Sequence, residues 1–311
     1  MINSKNIFLN LTTRCNLKCA KCWRSQSWGK GDDISPLVLS KFKDVFHNFS
    51  GNVIIGSGEN LIAKYLDEYI LWAVNNNIKT TILTTGLKFD KFFLQANYFN
   101  PIIKWGVTLD GFRQEQVKDI QKGMIIERVK KNLFEIKSRY PKSNFYLNVT
   151  HTRKNLIDTS SFVELANSLK INELYFTQLK LFDGLDDSKT KNLVNNIDDP
   201  LFIMEINKAK KLSEQYGIKL YAPLSQKTRL CFNKERKQSF SPIIDINGDI
   251  SFCYGRNDIT VGNLITNPDG WRSHLDYLNS EEANQNNWCS QCHACKKNDD
   301  GYFFISKKIN N

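Results

Sequence analysis

The side chains best equipped for chemistry in this sequence are its eight cysteines, and they fall into two groups. Cys15, Cys19 and Cys22 lie together near the start. Cys231, Cys253, Cys289, Cys292 and Cys295 lie in the last third, with no cysteine between the groups. Cysteines serving as small hydrophobes would be spread over many elements. The first residues lack the apolar run and small-residue cleavage site of a secretory signal, so a cytoplasmic location is expected. Thiols stay reduced there, and clustered cysteines more often bind metal than pair as disulfides. Three thiolates at x3 and x2 spacing can hold three irons of a cubane and leave the fourth iron open to chelate a cosubstrate. Structural zinc normally takes four ligands, and no histidine near Cys15 supplies the fourth. In the later group, Cys-x2-Cys with two distant cysteines suits either a second cluster or a tetrahedral zinc site.

The elements that must position these residues follow from hydrophobic periodicity. Strands are expected at Ile7–Leu11, Val53–Gly56, Thr80–Leu83, Ile103–Leu109, Phe145–Thr150 and Glu173–Phe176. Amphipathic segments separate them. Ser35-Pro36 is an N-cap followed by proline at the first helical position, opening a helix to about Phe49. Leu61, Ile62, Tyr65, Leu66, Tyr69, Ile70 and Ala73 recur at helical spacing, and Pro141 ends a helix through Leu133 and Ile136. Alternation of this kind argues for parallel strands with helices outside, with chemistry at the C-terminal strand ends. Asp183–Pro200 reads as a polar connector, Leu201–Tyr216 as a helix, and Ile243–Cys253 as two strands around an Asn-Gly turn.

Leu11-Thr12-Thr13-Arg14-Cys15-Asn16-Leu17-Lys18-Cys19-Ala20-Lys21-Cys22-Trp23, placed after a first strand, resembles the signature of the radical S-adenosylmethionine (SAM) superfamily. The resemblance continues at later strand ends. Gly56-Ser57-Gly58-Glu59 is similar to the family's Gly-Gly-Glu-Pro motif, which holds the SAM amino group, and departs from it at Ser57 and Asn60. Thr84-Thr85-Gly86 resembles Thr-Asn-Gly, and Val107-Thr108-Leu109-Asp110-Gly111 resembles a stretch near the SAM ribose. Asn148 and Thr150 lie where family members contact SAM. Lys21 stands where an aromatic residue is usual, with Trp23 just after it. Gly248-x4-Cys253 followed by Cys289-x2-Cys292 resembles the SPASM/twitch extension.

The resemblance implies an α/β fold: a partial (β/α)6 TIM-like barrel with a small C-terminal β-hairpin/helix auxiliary-cluster domain. Residues 1–182 would form the barrel, 183–222 a connector and helix, and 223–311 the auxiliary domain. It implies SAM and two 4Fe–4S clusters. Cys15, Cys19 and Cys22 would hold the catalytic one, and Cys231, Cys253, Cys289 and Cys292 the auxiliary one, with Cys295 able to substitute. SAM contacts would come from Trp23, Gly56, Ser57, Gly58, Glu59, Thr85, Thr108, Asp110, Asn148 and Thr150. Reductive cleavage of SAM would give a 5′-deoxyadenosyl radical that abstracts a substrate hydrogen, and an auxiliary cluster taking an electron would make the net reaction an oxidation.

Tyr254 stands where sulfatase-maturing relatives carry an Asp. Tyr254, Tyr175, Gln178, Arg256 and His151 are the candidates for the substrate pocket. Few residues precede Cys15, which leaves no room there for a leader-peptide-binding domain and favours a small molecule such as a sugar or aminocyclitol over a peptide. The net charge of +11 suits an acidic electron donor such as a flavodoxin or ferredoxin. No tract is long enough to cross a bilayer. A non-catalytic zinc or iron–sulfur protein binding nucleic acid is the reading of another class. It lacks a dense basic helix or an aromatic–basic stripe to support it.

Overall fold

The computed structural model describes residues 6–20, 22, 31–118, 120–179, 193, 199–222, 241–251, 260–270 and 307–308. The strands are β1 (Asn6–Asn10), β2 (Lys18–Cys19), β3 (Asn52–Gly56), β4 (Thr80–Thr84), β5 (Ile103–Thr108), β6 (Gln121–Lys122), β7 (Asn144–His151), β8 (Glu173–Gln178) and β9 (Lys219–Ala222). They continue as β10 (Ile243–Ile244), β11 (Asp249–Ser251), β12 (Gly262–Asn263) and β13 (Lys307–Lys308). The helices are α1 (Pro36–Phe46), α2 (Leu66–Asn75), α3 (Gln114–Val117), α4 (Ile126–Arg139), α5 (Thr159–Ser168) and α6 (Pro200–Gln215).

One sheet carries the order β12-β11-β10-β1-β3-β4-β5-β7-β8-β9-β13. From β1 to β9 every neighbouring pair is parallel. The sheet stays open at both ends among the described residues, which makes the barrel partial. All six expected strands are present, shifted by a residue or two. The sheet also runs through the boundaries expected at 182 and 222: α6 and β9 extend it beyond β8, and β10 lies parallel to β1 at the other end. The Asn-Gly hairpin is therefore part of the same sheet. Its turn is held by the Asp245 carboxylate, which accepts from the amides of Asn247 (2.8 Å) and Asp249 (2.9 Å).

Helix α1 ends earlier than expected, at Phe46, and Ser35 makes no side-chain cap. Its amide instead donates to Ile246 O at 3.0 Å, tying the helix start to the hairpin.

Side chains alternate between the two faces of the sheet. The outward set packs under the helices: Trp105 is fully buried, edge-on to Phe89, and donates from Nε1 to Tyr98 O at 2.7 Å. Each such buried side chain contributes roughly 1.5–3 kcal/mol of transfer free energy. The inward set is more polar. Lys104 pairs with Glu173 at 2.6 Å, and Tyr146, Tyr175 and Tyr221 pack ring to ring at 4.9 Å and 4.3 Å. Tyr146 lies across β5 at Gly106, where an added Cβ would come within 2.3 Å of the ring. Among the described residues, no helix is long and apolar enough to cross a membrane.

Candidate active site

The loop bearing the first cysteines leaves the C-terminal end of β1, at the top of the sheet. Cys15, Cys19 and Cys22 are each half-buried there. Three local features shape the loop. The Leu17 amide donates to Cys15 Sγ at 3.4 Å, and the Cys22 amide to Cys19 O at 3.1 Å. Cys19 lies in β2, paired antiparallel with β6 opposite Gln121. The Ala20 amide donates to Ile120 O at 3.0 Å.

Beside it stands the turn that follows β3. Ser57 and Gly58 both adopt positive φ, 63° and 43°. A Cβ at Gly58 would lie 2.5 Å from Arg14 O and 2.6 Å from Thr12 O, so only glycine lets this turn press against the cysteine loop. The Glu59 amide completes the contact by donating to Arg14 O at 2.8 Å.

Glu59 is fully buried, and its carboxylate accepts from within the protein: Leu61 N (3.0 Å), Thr84 Oγ1 (2.5 Å), Thr85 N (2.8 Å) and Thr85 Oγ1 (2.5 Å). These bonds lock the end of β4 to the turn after β3. They also occupy both oxygens of the carboxylate. Ser57 Oγ is buried without a hydrogen-bond partner. Asn60, standing where the motif has proline, donates to Leu83 O at 2.7 Å and strengthens the same tie.

The next strand ends complete the rim. Thr108 on β5 is level with Asn148 on β7, and Asn148 with Tyr175 on β8. Asp110 is fully buried and holds the end of β7, accepting from Thr150 N at 2.8 Å. Its own amide donates to Gln121 Oε1 at 3.3 Å, and its carbonyl accepts from Asn155 Nδ2 at 2.8 Å. Gln121 therefore joins Asp110 to the strand paired with Cys19.

The structure separates the pocket candidates. Tyr175 faces the inner side, half-buried, with its hydroxyl donating to Glu173 Oε2 at 3.2 Å. Burial and the Glu173 charge push its phenol well above the usual tyrosine range. His151 points the other way, into the layer between sheet and helices, stacked on Phe176 at 4.3 Å and within 3.3 Å of Thr159 Oγ1. Complete burial lowers its pKa to about 3. It is a neutral core residue and does not line the pocket. Gln178 ends β8. Trp23, Tyr254, Arg256 and the cysteines from Cys231 to Cys295 lie outside the described residues. The residues that the motifs did not single out are Arg14, Asp33, Gln121 and Asn155. Only Arg14, inside the cysteine motif, carried a sequence signal.

The donor set fits an iron–sulfur cluster with one open iron. The loop offers thiolates with an amide donating to sulfur, the kind of outer hydrogen bond that tunes such clusters. The adjoining turn offers an orphaned buried hydroxyl and close-approaching backbone. Among the described residues, no three His, Cys, Asp or Glu side chains are grouped as ligands of a single ion, and a cubane spreads its thiolates over separate irons.

The sequence model of the Radical SAM superfamily matches residues 9–165, from β1 into α5. The chain belongs to the radical SAM superfamily. Membership implies SAM and a 4Fe–4S cluster, and Cys15, Cys19 and Cys22 lie within the matched stretch. A probable GTP 3′,8-cyclase of Methanococcus maripaludis is 32% identical over 132 residues, 40% of this chain and 43% of that protein, so the match spans less than half of the relative. Among solved structures, Streptococcus suis SuiB bound to S-adenosylmethionine has a TM-score of 0.65 at 15% identity, covering 97% of this chain and 76% of that one. The anSMEcpe structure with bound AdoMet has a TM-score of 0.66 at 13% identity, covering 98% and 89%. At these identities the structures establish the shared fold.

Proposed function

We propose that this radical SAM enzyme removes a hydrogen atom from an organic substrate seated over the inner face of the barrel, in a reaction that is oxidative overall. The observation that carries the reading is the meeting of the Cys15–Cys22 loop with the turn at Gly56–Glu59, beside the ends of β4, β5 and β7. When bound, the first cluster and SAM supply a 5′-deoxyadenosyl radical able to take hydrogen from carbon, and a second cluster supplies a sink for one electron.

The chain's own groups have distinct tasks in this reading. Cys15, Cys19 and Cys22 hold the first cluster. The backbone of Gly56–Gly58 and Ser57 Oγ meet the amino acid part of SAM, while Glu59 keeps the turn in place. Thr108, Asp110, Asn148 and Thr150 support the ribose side, and Trp23 the adenine. Cys231, Cys253, Cys289 and Cys292, with Cys295 in reserve, are the ligands proposed for the second cluster, on the strength of their spacing. The +11 charge supports an acidic electron donor such as a flavodoxin or ferredoxin.

Neither group of relatives acts by name on a free sugar, so sugar oxidation is not carried forward. A small molecule remains the substrate class favoured here, in keeping with the cyclase relatives that share the motif-bearing part of the chain. A peptide is the second reading, favoured by peptide complexes of SuiB and anSMEcpe, whose shared fold covers most of the chain.

The test is 5′-deoxyadenosine formation by anaerobically reconstituted protein with SAM and dithionite. Wild type should form it, and the Cys15→Ala, Cys19→Ala, Cys22→Ala variant should not. Equal product from both would refute the assignment.

A further inference from the structure

Arg14 immediately precedes the first cysteine, and its side chain is the centre of a junction that the cysteine motif does not itself explain. Its Nη2 contacts both Asp33 carboxylate oxygens, at 2.9 Å and 2.7 Å, and donates to Ile62 O at 2.6 Å. Asp33 Oδ1 also accepts from the Lys64 amide at 3.0 Å. Three chain segments thus meet at one ion pair: residues 12–14, 32–34 and 59–64.

The backbone reinforces the junction. The Thr13 amide donates to Asp32 O at 2.7 Å, the Asp32 amide to Thr13 Oγ1 at 2.7 Å, and the Ile34 amide to Leu11 O at 2.8 Å. The two segments that flank Cys15, Cys19 and Cys22 in the sequence are thus clasped together. The third segment, 59–64, is the continuation of the turn at Gly56–Glu59. The clasp therefore joins the base of the cysteine loop directly to the turn assigned to SAM.

Its energetics point to geometry more than stability. The two side chains are 39% and 17% exposed, and ion pairs with that much solvent contact contribute about 1 kcal/mol or less. All of these contacts come from one guanidinium nitrogen, Nη2, which ties a carboxylate and a carbonyl together at a single point.

We infer that Arg14 and Asp33 are positioning residues that set the register between the cysteine loop and the SAM-binding turn, so that the open iron and the SAM amino and carboxylate groups meet. This rests on the proposed reading of the site. Disrupting the clasp should weaken SAM engagement while leaving cluster assembly and folding largely intact. The same logic applies elsewhere to partners that orient metal ligands, whose removal typically costs about tenfold to a hundredfold.

The experiment compares wild type with Asp33→Asn, which keeps size and removes the charge, and Arg14→Met, which keeps an unbranched stem and removes the charge and the donors. Iron content, thermal midpoint of the cluster-free chain and the electron paramagnetic resonance spectrum of the dithionite-reduced protein are measured across a SAM titration. The expected result is near-normal iron and thermal midpoint, with the SAM concentration for half-maximal spectral change raised about tenfold or more. Should Asp33→Asn fail to fold, Arg14→Met carries the same expectation. An unshifted titration in variants that keep iron would overturn the inference. So would a parallel loss of iron and thermal midpoint with normal SAM response in the molecules that remain loaded. A wild-type spectrum that ignores SAM would defeat the reading of the site itself, and the inference with it.

Discussion

At the scale of single residues, Gly58 and Glu59 do complementary work. Glycine allows the turn to approach the backbone of residues 12–14, and the carboxylate then pins that turn to β4. Gly58→Ala should cost about 2 kcal/mol or more, from the strained φ and the 2.5 Å overlap with Arg14 O. Chemical denaturation of the cluster-free chain measures it, and a change within about 0.5 kcal/mol would contradict the geometry.

His151 gives a second expectation. Its pKa is depressed in the fold to about 3, below an unfolded value near 6.5, so the unfolded chain binds the proton first and stability falls as pH drops through about 6.5. Between pH 7.5 and 5.5 the loss from this group should be about 1 kcal/mol. His151→Phe, which keeps a ring on Phe176, should flatten that part of the pH dependence; an unchanged slope would count against a buried neutral imidazole. The sequence alone left the direction of His151 open, because its place on the helix side is set by strand parity at the end of β7. The cysteines were legible because their spacing is short-range. Asp33 was not, since nothing local links it to Arg14 nineteen residues earlier.

At the scale of elements, the short pair β2–β6 is what brings the cysteine loop into the body of the protein. It places Cys19 opposite Gln121, and Gln121 holds the Asp110 amide, so the segment after β5 is tied to the cysteine loop. Two-residue strands carry no periodic signal, and the pair was not foreseen. The long strands were, because apolar runs bounded by turn residues mark them plainly. Strand β9 escaped for the same reason as β2: Lys219–Ala222 is short, and it is recognised only by pairing with β8.

The inner face supplies the test at this scale. Gly106→Ala should be destabilised by about 1–3 kcal/mol, because the new methyl overlaps the Tyr146 ring. Adding Tyr146→Leu should recover much of that loss in a double-mutant cycle. Simple additivity of the two changes would show that the ring does not lie over Gly106.

At the scale of the whole molecule, one continuous sheet joins the hairpin β10–β11 to the strand β1. Strand β10 pairs directly with β1, so the hairpin of the later region begins next to the strand that launches the first cysteine loop. The pattern of the sequence changes character near residue 223, and the pairing of β10 with β1 spans over two hundred residues and leaves no local trace in it. Cys253→Ala should spare SAM cleavage and impair turnover of the true substrate. Equal loss of both activities would argue that the later cysteines serve the stability of the whole chain.

The most direct test of the central claim is Mössbauer spectroscopy with iron and sulfide analysis on anaerobically reconstituted protein, with and without SAM. The account expects about eight irons per chain, with one iron of one cubane shifting when SAM is added. About four irons with the same shift would keep the SAM site and remove the second cluster. Zinc without iron, or iron that is indifferent to SAM, would contradict the claim that Cys15, Cys19 and Cys22 hold a cluster open to SAM.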